Sequence, residues 1–228
     1  MKTHLDTYSV FQRRRNLKQW ISGLLFLVIL IGGWRWPLFG YFIPLCMLAG
    51  MGIGLLRGRQ WCDWLCPRGS FYDAMTSRIS PRKTIPGFLK GLPLRLAMMA
   101  LMMTMVTVQV FRLWPDYRAI GAFFITLLTV TTVAGILLML IIHPRTWCCF
   151  CPIGSMGNWL GRDRYPLLID SAGCTECKRC HEVCPIQVAP FKFRKTGMET
   201  VRDGDCLKCG SCVQACPKGA LQWKENRQ

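Results

Sequence analysis

Eight cysteines near the end of the chain repeat one spacing twice, and that repeat restricts the fold more than any other feature. Cys174-x2-Cys177-x2-Cys180-x3-Cys184-Pro185 is followed by Cys206-x2-Cys209-x2-Cys212-x3-Cys216-Pro217. Three evenly spaced thiols and a Cys-Pro, twice over, exceed what zinc needs, since two C-x2-C pairs complete a zinc site. A secreted disulfide scaffold fits no better. Such domains are small and loop-rich, whereas this chain of 228 residues is 51% hydrophobic and sets many of its 14 cysteines beside long apolar runs.

The spacing is that of bacterial two-cluster ferredoxins, in which the fourth Cys of each run ligates the other cluster. It assigns Cys174, Cys177, Cys180 and Cys216 to one [4Fe–4S] cluster, and Cys206, Cys209, Cys212 and Cys184 to a second. Close-set thiolates wrap one side of a cubane, and the distant Cys-Pro closes it and ties the two runs together. A domain this small has little core of its own, so its clusters are expected to supply much of its folding energy.

Ahead of this region lie four apolar stretches, Trp20–Trp34, Trp36–Leu56, Leu96–Phe111 and Ile120–Ile142. A spanning helix needs about 20 apolar residues. The second and fourth stretches meet that length. The first and third are shorter, with Lys18, Arg35, Arg95 and Arg112 placed to snorkel at their ends. Trp20, Trp34, Trp36 and Trp114 stand at stretch ends, where interfacial aromatics belong. Four spans are therefore predicted, in contact with membrane lipids.

The chain carries 29 Lys plus Arg against 12 Asp plus Glu, a formal charge of +17. The basic residues flank the apolar segments, which favours membrane topology over nucleic-acid binding, and no nucleic-acid partner is expected. The N-terminal arm holds five, the Arg57–Arg95 stretch eight and the region after the fourth span thirteen, while the two opposite turns share only Arg35, Arg112 and Arg118. The positive-inside rule then puts both termini, the central loop and the ferredoxin-like region on the cytoplasmic side of the inner membrane. Arg14-Arg15-Asn16-Leu17-Lys18 has no small-residue cleavage site after it, so these arginines read as topology anchors rather than an export signal.

A second repeat sits where two of the apolar stretches end. Arg59-Gln60-Trp61-Cys62-Asp63-Trp64-Leu65-Cys66-Pro67-Arg68-Gly69-Ser70 is matched by Arg145-Thr146-Trp147-Cys148-Cys149-Phe150-Cys151-Pro152-Ile153-Gly154-Ser155. The shared frame is Arg-x-Trp-Cys, then Cys-Pro-x-Gly-Ser. Each copy follows a predicted helical hairpin, so the two halves are expected to be related by a pseudo-two-fold axis. Cys62, Cys66, Cys148 and Cys151 together make a set of four soft ligands. It suits a third iron–sulfur cluster, a copper or zinc site, or a pair of redox-active dithiols. A structural disulfide is disfavoured in a reducing cytosol. Cys149 is a spare that can replace either neighbour, and Cys46, inside the second stretch, reads as a small buried hydrophobe.

The expected fold class is an α-helical membrane domain of four transmembrane helices, arranged as two pseudo-symmetric hairpins, over residues 1–161. A small α+β bacterial 2[4Fe–4S] ferredoxin-like domain follows over residues 162–228. Repeated Cys-Pro motifs after helix pairs, followed by a two-cluster ferredoxin tail, resemble the NapH-type membrane ferredoxins, a layout shared by MauN and the polyferredoxin portion of NosR. The resemblance runs from the first helix to Cys216. It implies cytoplasmic clusters and electron passage between a quinone pool, through quinol oxidation, and a partner redox protein in a larger complex. The chain departs from the family in two places. Its second motif, Cys148-x2-Cys151-Pro152, is one residue short of C-x3-C-P, and the first hairpin turn, at Arg35, is brief.

Classical catalytic apparatus is sparse, and an electron-transfer subunit is expected rather than a stand-alone enzyme. The three histidines are His4, His143 and His181. No transmembrane pair is available for axial ligation, so no haem is expected. His143 reads as a helix-end residue near the headgroups, with a quinone contact as the rival reading. Asp63 reads either as a proton relay or as a surface carboxylate facing Arg59 or Arg68. The methionines at 98, 99, 102, 103 and 105 read as packing or lipid contacts. Two rival functions are a copper reductase or maturation factor of the CcoG type, and a redox sensor.

Overall fold

Proline and interfacial tryptophan punctuate the helices. In the computed structural model, which describes residues 2–76 and 79–224 (side chains of 2–6 and 76 excepted), helix α1 runs Lys2–Arg35 and stops at Trp36-Pro37. Arg78 and Arg227, counted above among the basic residues, lie outside the described residues, as do the side chains of Lys2 and His4. A short 3-10 turn, Pro37–Tyr41, leads into α2, Phe42–Arg57. Helix α5, Leu92–Leu113, carries Pro93 in its first turn, where a missing N–H costs nothing. After Trp114-Pro115, Asp116 caps α6, Tyr117–Ile141, its carboxylate accepting from the N–H groups of Arg118 at 2.9 Å and Ala119 at 3.2 Å.

Four segments are long and apolar enough to cross a membrane: Thr7–Arg35, Pro37–Arg57, Leu92–Leu113 and Tyr117–Ile141. They are joined in two pairs by the short turns at Pro37–Tyr41 and at Trp114–Asp116, and α6 packs against α1, α5 and the Pro37–Tyr41 turn. Their outward faces carry bare leucine, isoleucine and phenylalanine, such as Ile31, Leu48, Leu56 and Phe111, as lipid contact requires. The first span is longer than its apolar stretch. At 34 residues, α1 reaches about 50 Å, well beyond a hydrocarbon core of about 30 Å. Its polar first half therefore extends past the bundle, where Phe11 meets Trp64 edge-on at 5.7 Å and approaches Gly210.

Each hairpin runs into a pair of short helices. Helices α3 (Gln60–Trp64) and α4 (Pro67–Phe71) follow α2, and α7 (Thr146–Phe150) and α8 (Pro152–Leu160) follow α6. In each pair, Cys-Pro starts the second helix with proline at its first position.

The remaining chain forms a three-stranded antiparallel sheet of order β2-β1-β3, from β1 Leu167–Asp170, β2 Met198–Thr200 and β3 Leu221–Trp223. Leu168 pairs with Thr200 on one side and with Gln222 on the other. Helices α9 (Arg179–Glu182) and α10 (Ser211–Ala215) each begin after a residue in the left-handed region, Lys178 and Gly210, at equivalent places in the two cysteine runs. Leu167, Ile169, Ile186, Val188, Leu207 and Leu221 form the buried core.

Candidate functional site

The two membrane motifs fold against each other, and their repeated residues explain how. Arg59 Nη2 donates to the carbonyl of Cys148 at 2.7 Å, and Arg145 Nη1 donates to the carbonyl of Cys62 at 2.7 Å. Each motif's arginine thus satisfies the backbone beside the other motif's first cysteine. The glycine of each Cys-Pro-x-Gly-Ser leaves the room. A Cβ on Gly69 would stand 2.9 Å from Arg145 Nη1 and 3.0 Å from the Cys62 carbonyl, and one on Gly154 would stand 2.9 Å from the Cys148 carbonyl and 3.0 Å from Arg59 Nη2. The two serines that follow, Ser70 and Ser155, are fully buried, and neither hydroxyl has a hydrogen-bond partner among the described residues.

Cys62, Cys66, Cys148 and Cys151 line a single cavity of about 420 Å³ that extends between the spans to Phe26, Phe124 and Leu128. Cys46 is half-buried on its wall, together with Met47, Met51, Met102 and Met103. Arg68 supplies a cation there. Its guanidinium lies 3.6 Å from Cys151 Sγ, 3.0 Å from Thr131 Oγ1 and 5.1 Å over the Trp147 ring. Burial pushes the Cys62 thiol up to about 12 against the pull of Arg59, and burial raises Cys66 too. Among the described residues, no three His, Cys, Asp or Glu side chains converge on one metal ion. The donor set is four thiols facing a shared space, flanked by fixed cations. That fits an anionic thiolate-bound cluster. Cys149 faces elsewhere, wholly buried with its Sγ 3.6 Å from the Arg145 carbonyl.

Asp63 is neither a surface carboxylate nor a partner of Arg59 or Arg68. It is fully buried and takes a two-pronged contact from Arg15, Nε to Oδ2 at 2.9 Å and Nη2 to Oδ1 at 2.7 Å. Arg145 bridges Asp63 at 3.3 Å and Asp73 at 3.0 Å, and Gln19 donates to Asp73 at 3.1 Å. Arg15 is therefore a buried ion-pair partner as well as part of a basic arm. His143 is buried at the end of α6, where its Nδ1 accepts from the Arg145 N–H at 3.2 Å, and it does not line the cavity.

In the C-terminal part, Cys174, Cys177, Cys180 and Cys216 line one pocket, closed by Ile169, Phe191 and Leu221. Cys184 from the first run is close enough to Cys206, Cys209 and Cys212 of the second for its charge to act on all three. Backbone N–H groups point at these sulfurs, that of Val188 reaching Cys184 Sγ at 3.3 Å. Such donors tune a bound cluster. Burial pushes the Cys209 thiol up to about 12, with Asp63 adding and Arg15 opposing, so this second group of four lies beside the first membrane motif.

Asp205, immediately before Cys206, joins the two parts. Its Oδ1 accepts from Arg59 Nη1 at 2.8 Å, from Arg95 Nη2 at 2.6 Å and from Asn158 at 3.3 Å. Lys208 donates to the Gly161 carbonyl at 2.7 Å, Lys90 to the Ile186 carbonyl at 3.0 Å, and the Gln187 side chain bonds Ile85 and Lys83. Sequence reasoning missed these roles for Asp205, Asp73 and Arg95. The visible signal was the arginine that opens both repeats.

Each membrane repeat matches the model of a 4Fe-4S binding domain, over residues 39–86 and 121–168, and residues 173–221 match that of a 4Fe-4S dicluster domain. The chain is 26% identical to the ferredoxin-type protein NapH of Haemophilus influenzae, over 74% of this chain and 63% of that protein. It is 30% identical to the methylamine utilization ferredoxin-type protein MauN of Methylobacillus flagellatus, over 75% and 63%. The chain is similar to the NapH-type membrane ferredoxins. A further relative is the putative electron transport protein YccM of Escherichia coli, 24% identical over 76% of this chain and 53% of that protein. The match thus spans about half to two thirds of these three relatives. No solved structure matches the chain. With four candidate spans and matches to 4Fe-4S models, it is a membrane-associated iron–sulfur protein similar to ferredoxin-type and electron-transport proteins.

Proposed function

We propose that this protein passes single electrons between a quinone-like carrier in the membrane and a second redox protein, through three [4Fe–4S] sites. Cys62, Cys66, Cys148 and Cys151 would hold the first, Cys206, Cys209, Cys212 and Cys184 the second, and Cys174, Cys177, Cys180 and Cys216 the third. The division into membrane and ferredoxin-like domains falls after Gly161, with the ferredoxin-like domain and both termini cytoplasmic. The observation that carries the reading is the four membrane-motif thiols facing one cavity.

Bound iron–sulfur clusters supply one-electron chemistry. The protein supplies position. Arg59 and Arg145 lock the two motifs together, Arg68 places a positive charge at Cys151, and Asp205 holds the second group of cysteines against the first. The cavity wall of Phe, Leu, Ile and Met is suited to an apolar ring-bearing ligand. Trp147, whose indole N–H is buried without a partner among the described residues, stands on the same wall and offers a donor to a ligand carbonyl.

A metal-reductase reading draws on one observation, the four methionines on that wall, since thioethers suit Cu(I). One measurement separates the two. Iron and acid-labile sulfide are counted in anaerobically purified protein, with EPR during stepwise reduction. About twelve iron per chain supports three cubanes. About eight removes the cluster from the membrane motifs and moves weight to copper chemistry there.

A further inference from the structure

The ferredoxin-like part meets the rest of the chain through the Ile186–Gln187 turn, the Asp205–Lys208 segment and α10. Side-chain hydrogen bonds and ion pairs join it to residues before 162 through Ile186, Gln187, Asp205 and Lys208, and α10 packs against α1. Residues 175–179 of the first cysteine loop and 217–219 after Cys216 are exposed, and Cys177 is the exposed cysteine among the fourteen.

The rim of the pocket formed by Cys174, Cys177, Cys180 and Cys216 is cationic. Lys178, Arg179 and Lys218 line it with exposed side chains. Arg194 donates to the Cys174 carbonyl at 2.9 Å and neutralises the rim's carboxylate, Glu176, at 3.2 Å, which leaves the charges of Lys178, Arg179 and Lys218 uncancelled. These charges sit beside no buried acid that would explain them. They are placed where a thiolate-bound cluster comes nearest to solvent, and they surround it with positive tips.

We propose that this collar is the docking surface for an acidic redox protein, which exchanges electrons with the cluster held by Cys174, Cys177, Cys180 and Cys216. The inference rests on the cluster assignment above. The exchange is one electron between the reduced site and the partner's oxidised one-electron centre, or the reverse, with no bond made or broken. A positive rim draws an acidic partner into productive encounters and repels a basic one, an effect worth tenfold or more in association rate at low salt. Screening over about 8 Å at physiological ionic strength makes it strongly salt-dependent.

The test uses the full chain in zwitterionic nanodiscs, reduced anaerobically and reoxidised in a stopped-flow instrument by acidic cytochrome b5 or basic cytochrome c. The charge-reversal variant K178E/R179E/K218E should slow oxidation by cytochrome b5 about tenfold at low salt and speed oxidation by cytochrome c. Both differences should collapse at high salt. Unchanged rates with both cytochromes, at unchanged iron content, would place the exit elsewhere and overturn the proposal. So would a variant that loses only its binding to anionic vesicles, since the collar would then be a lipid contact. If the reversal variant loses iron, K178Q/R179Q/K218Q carries the same comparison, with a smaller expected change. A wild-type chain whose C177S variant keeps all its iron would instead sink the cluster assignment, and the docking reading with it.

Discussion

Arg145 reaches across the membrane domain to the carbonyl of Cys62 at 2.7 Å, and the space it occupies is bounded by the missing side chain of Gly69. Gly69→Ala and Gly154→Ala should each push a buried guanidinium off its carbonyl. The expected cost is about 1–3 kcal/mol, as for overpacking elsewhere. Both variants should lower the apparent melting temperature in detergent and reduce iron at the membrane motifs. An alanine variant with wild-type iron and stability would show that the close approach is not needed.

Asp205 compensates two buried guanidinia at once, those of Arg59 and Arg95. Asp205→Asn leaves both without a counter-ion, a change worth about 3–5 kcal/mol when one partner of a buried pair is removed. The ferredoxin-like part should loosen from the bundle. Limited proteolysis would then cut between Gly161 and Leu167 at a rate well above that of the wild type.

The cysteines divide into those that face the cavity and one that does not. Cys148→Ser and Cys151→Ser should each lose about four iron per chain. Cys149→Ala should lose none, because Cys149 is buried away from the cavity. Equal losses from all three would return Cys149 to the set of ligands.

Arg68 stands 3.6 Å from Cys151 Sγ. Removing its charge with Arg68→Gln should lower the reduction potential of a cluster at the membrane motifs. The expected shift is on the order of 50–100 mV, from one charge at an effective dielectric near 20. An EPR-monitored redox titration reads it directly, and the potentials of the other two clusters should move much less.

Much of this was legible in the sequence because cysteine spacing and hydropathy are local signals. The four spans follow from counting along the chain, and the spacing of the cysteines is what proposes the crossed sets. Other features are not local. Asp63 lies between two motif cysteines, so sequence reasoning paired it with neighbouring arginines. Its actual partners, Arg15 and Arg145, come from 48 and 82 residues away. The length of α1 was underestimated for a related reason. Its first half is too polar to register as a span, and it is held as a helix by packing against the short helices and α10.

Burial holds the His143 imidazole down to about 4, with Asp73 opposing and Arg82, Arg145 and Lys90 reinforcing. The folded value lies below the unfolded value of about 6.5, so the unfolded chain takes the proton first as pH drops. Stability from this group is complete above pH 6.5 and is lost as pH falls from about 6.5 to about 4, about 3 kcal/mol in all. His143→Gln should remove that part of the acid sensitivity, measured as apparent melting temperature between pH 7 and 4.

The crossed arginines carry one more implication. A bond from each half to the other's backbone, made twice by equivalent residues, is what two identical copies facing each other across a symmetry axis would form. A single hairpin with one motif would therefore find its complement in a twin. The present chain has the form of such a homodimer joined end to end. Fusion would have freed its copies to differ, so that one spaces its cysteines by three residues and the other by two.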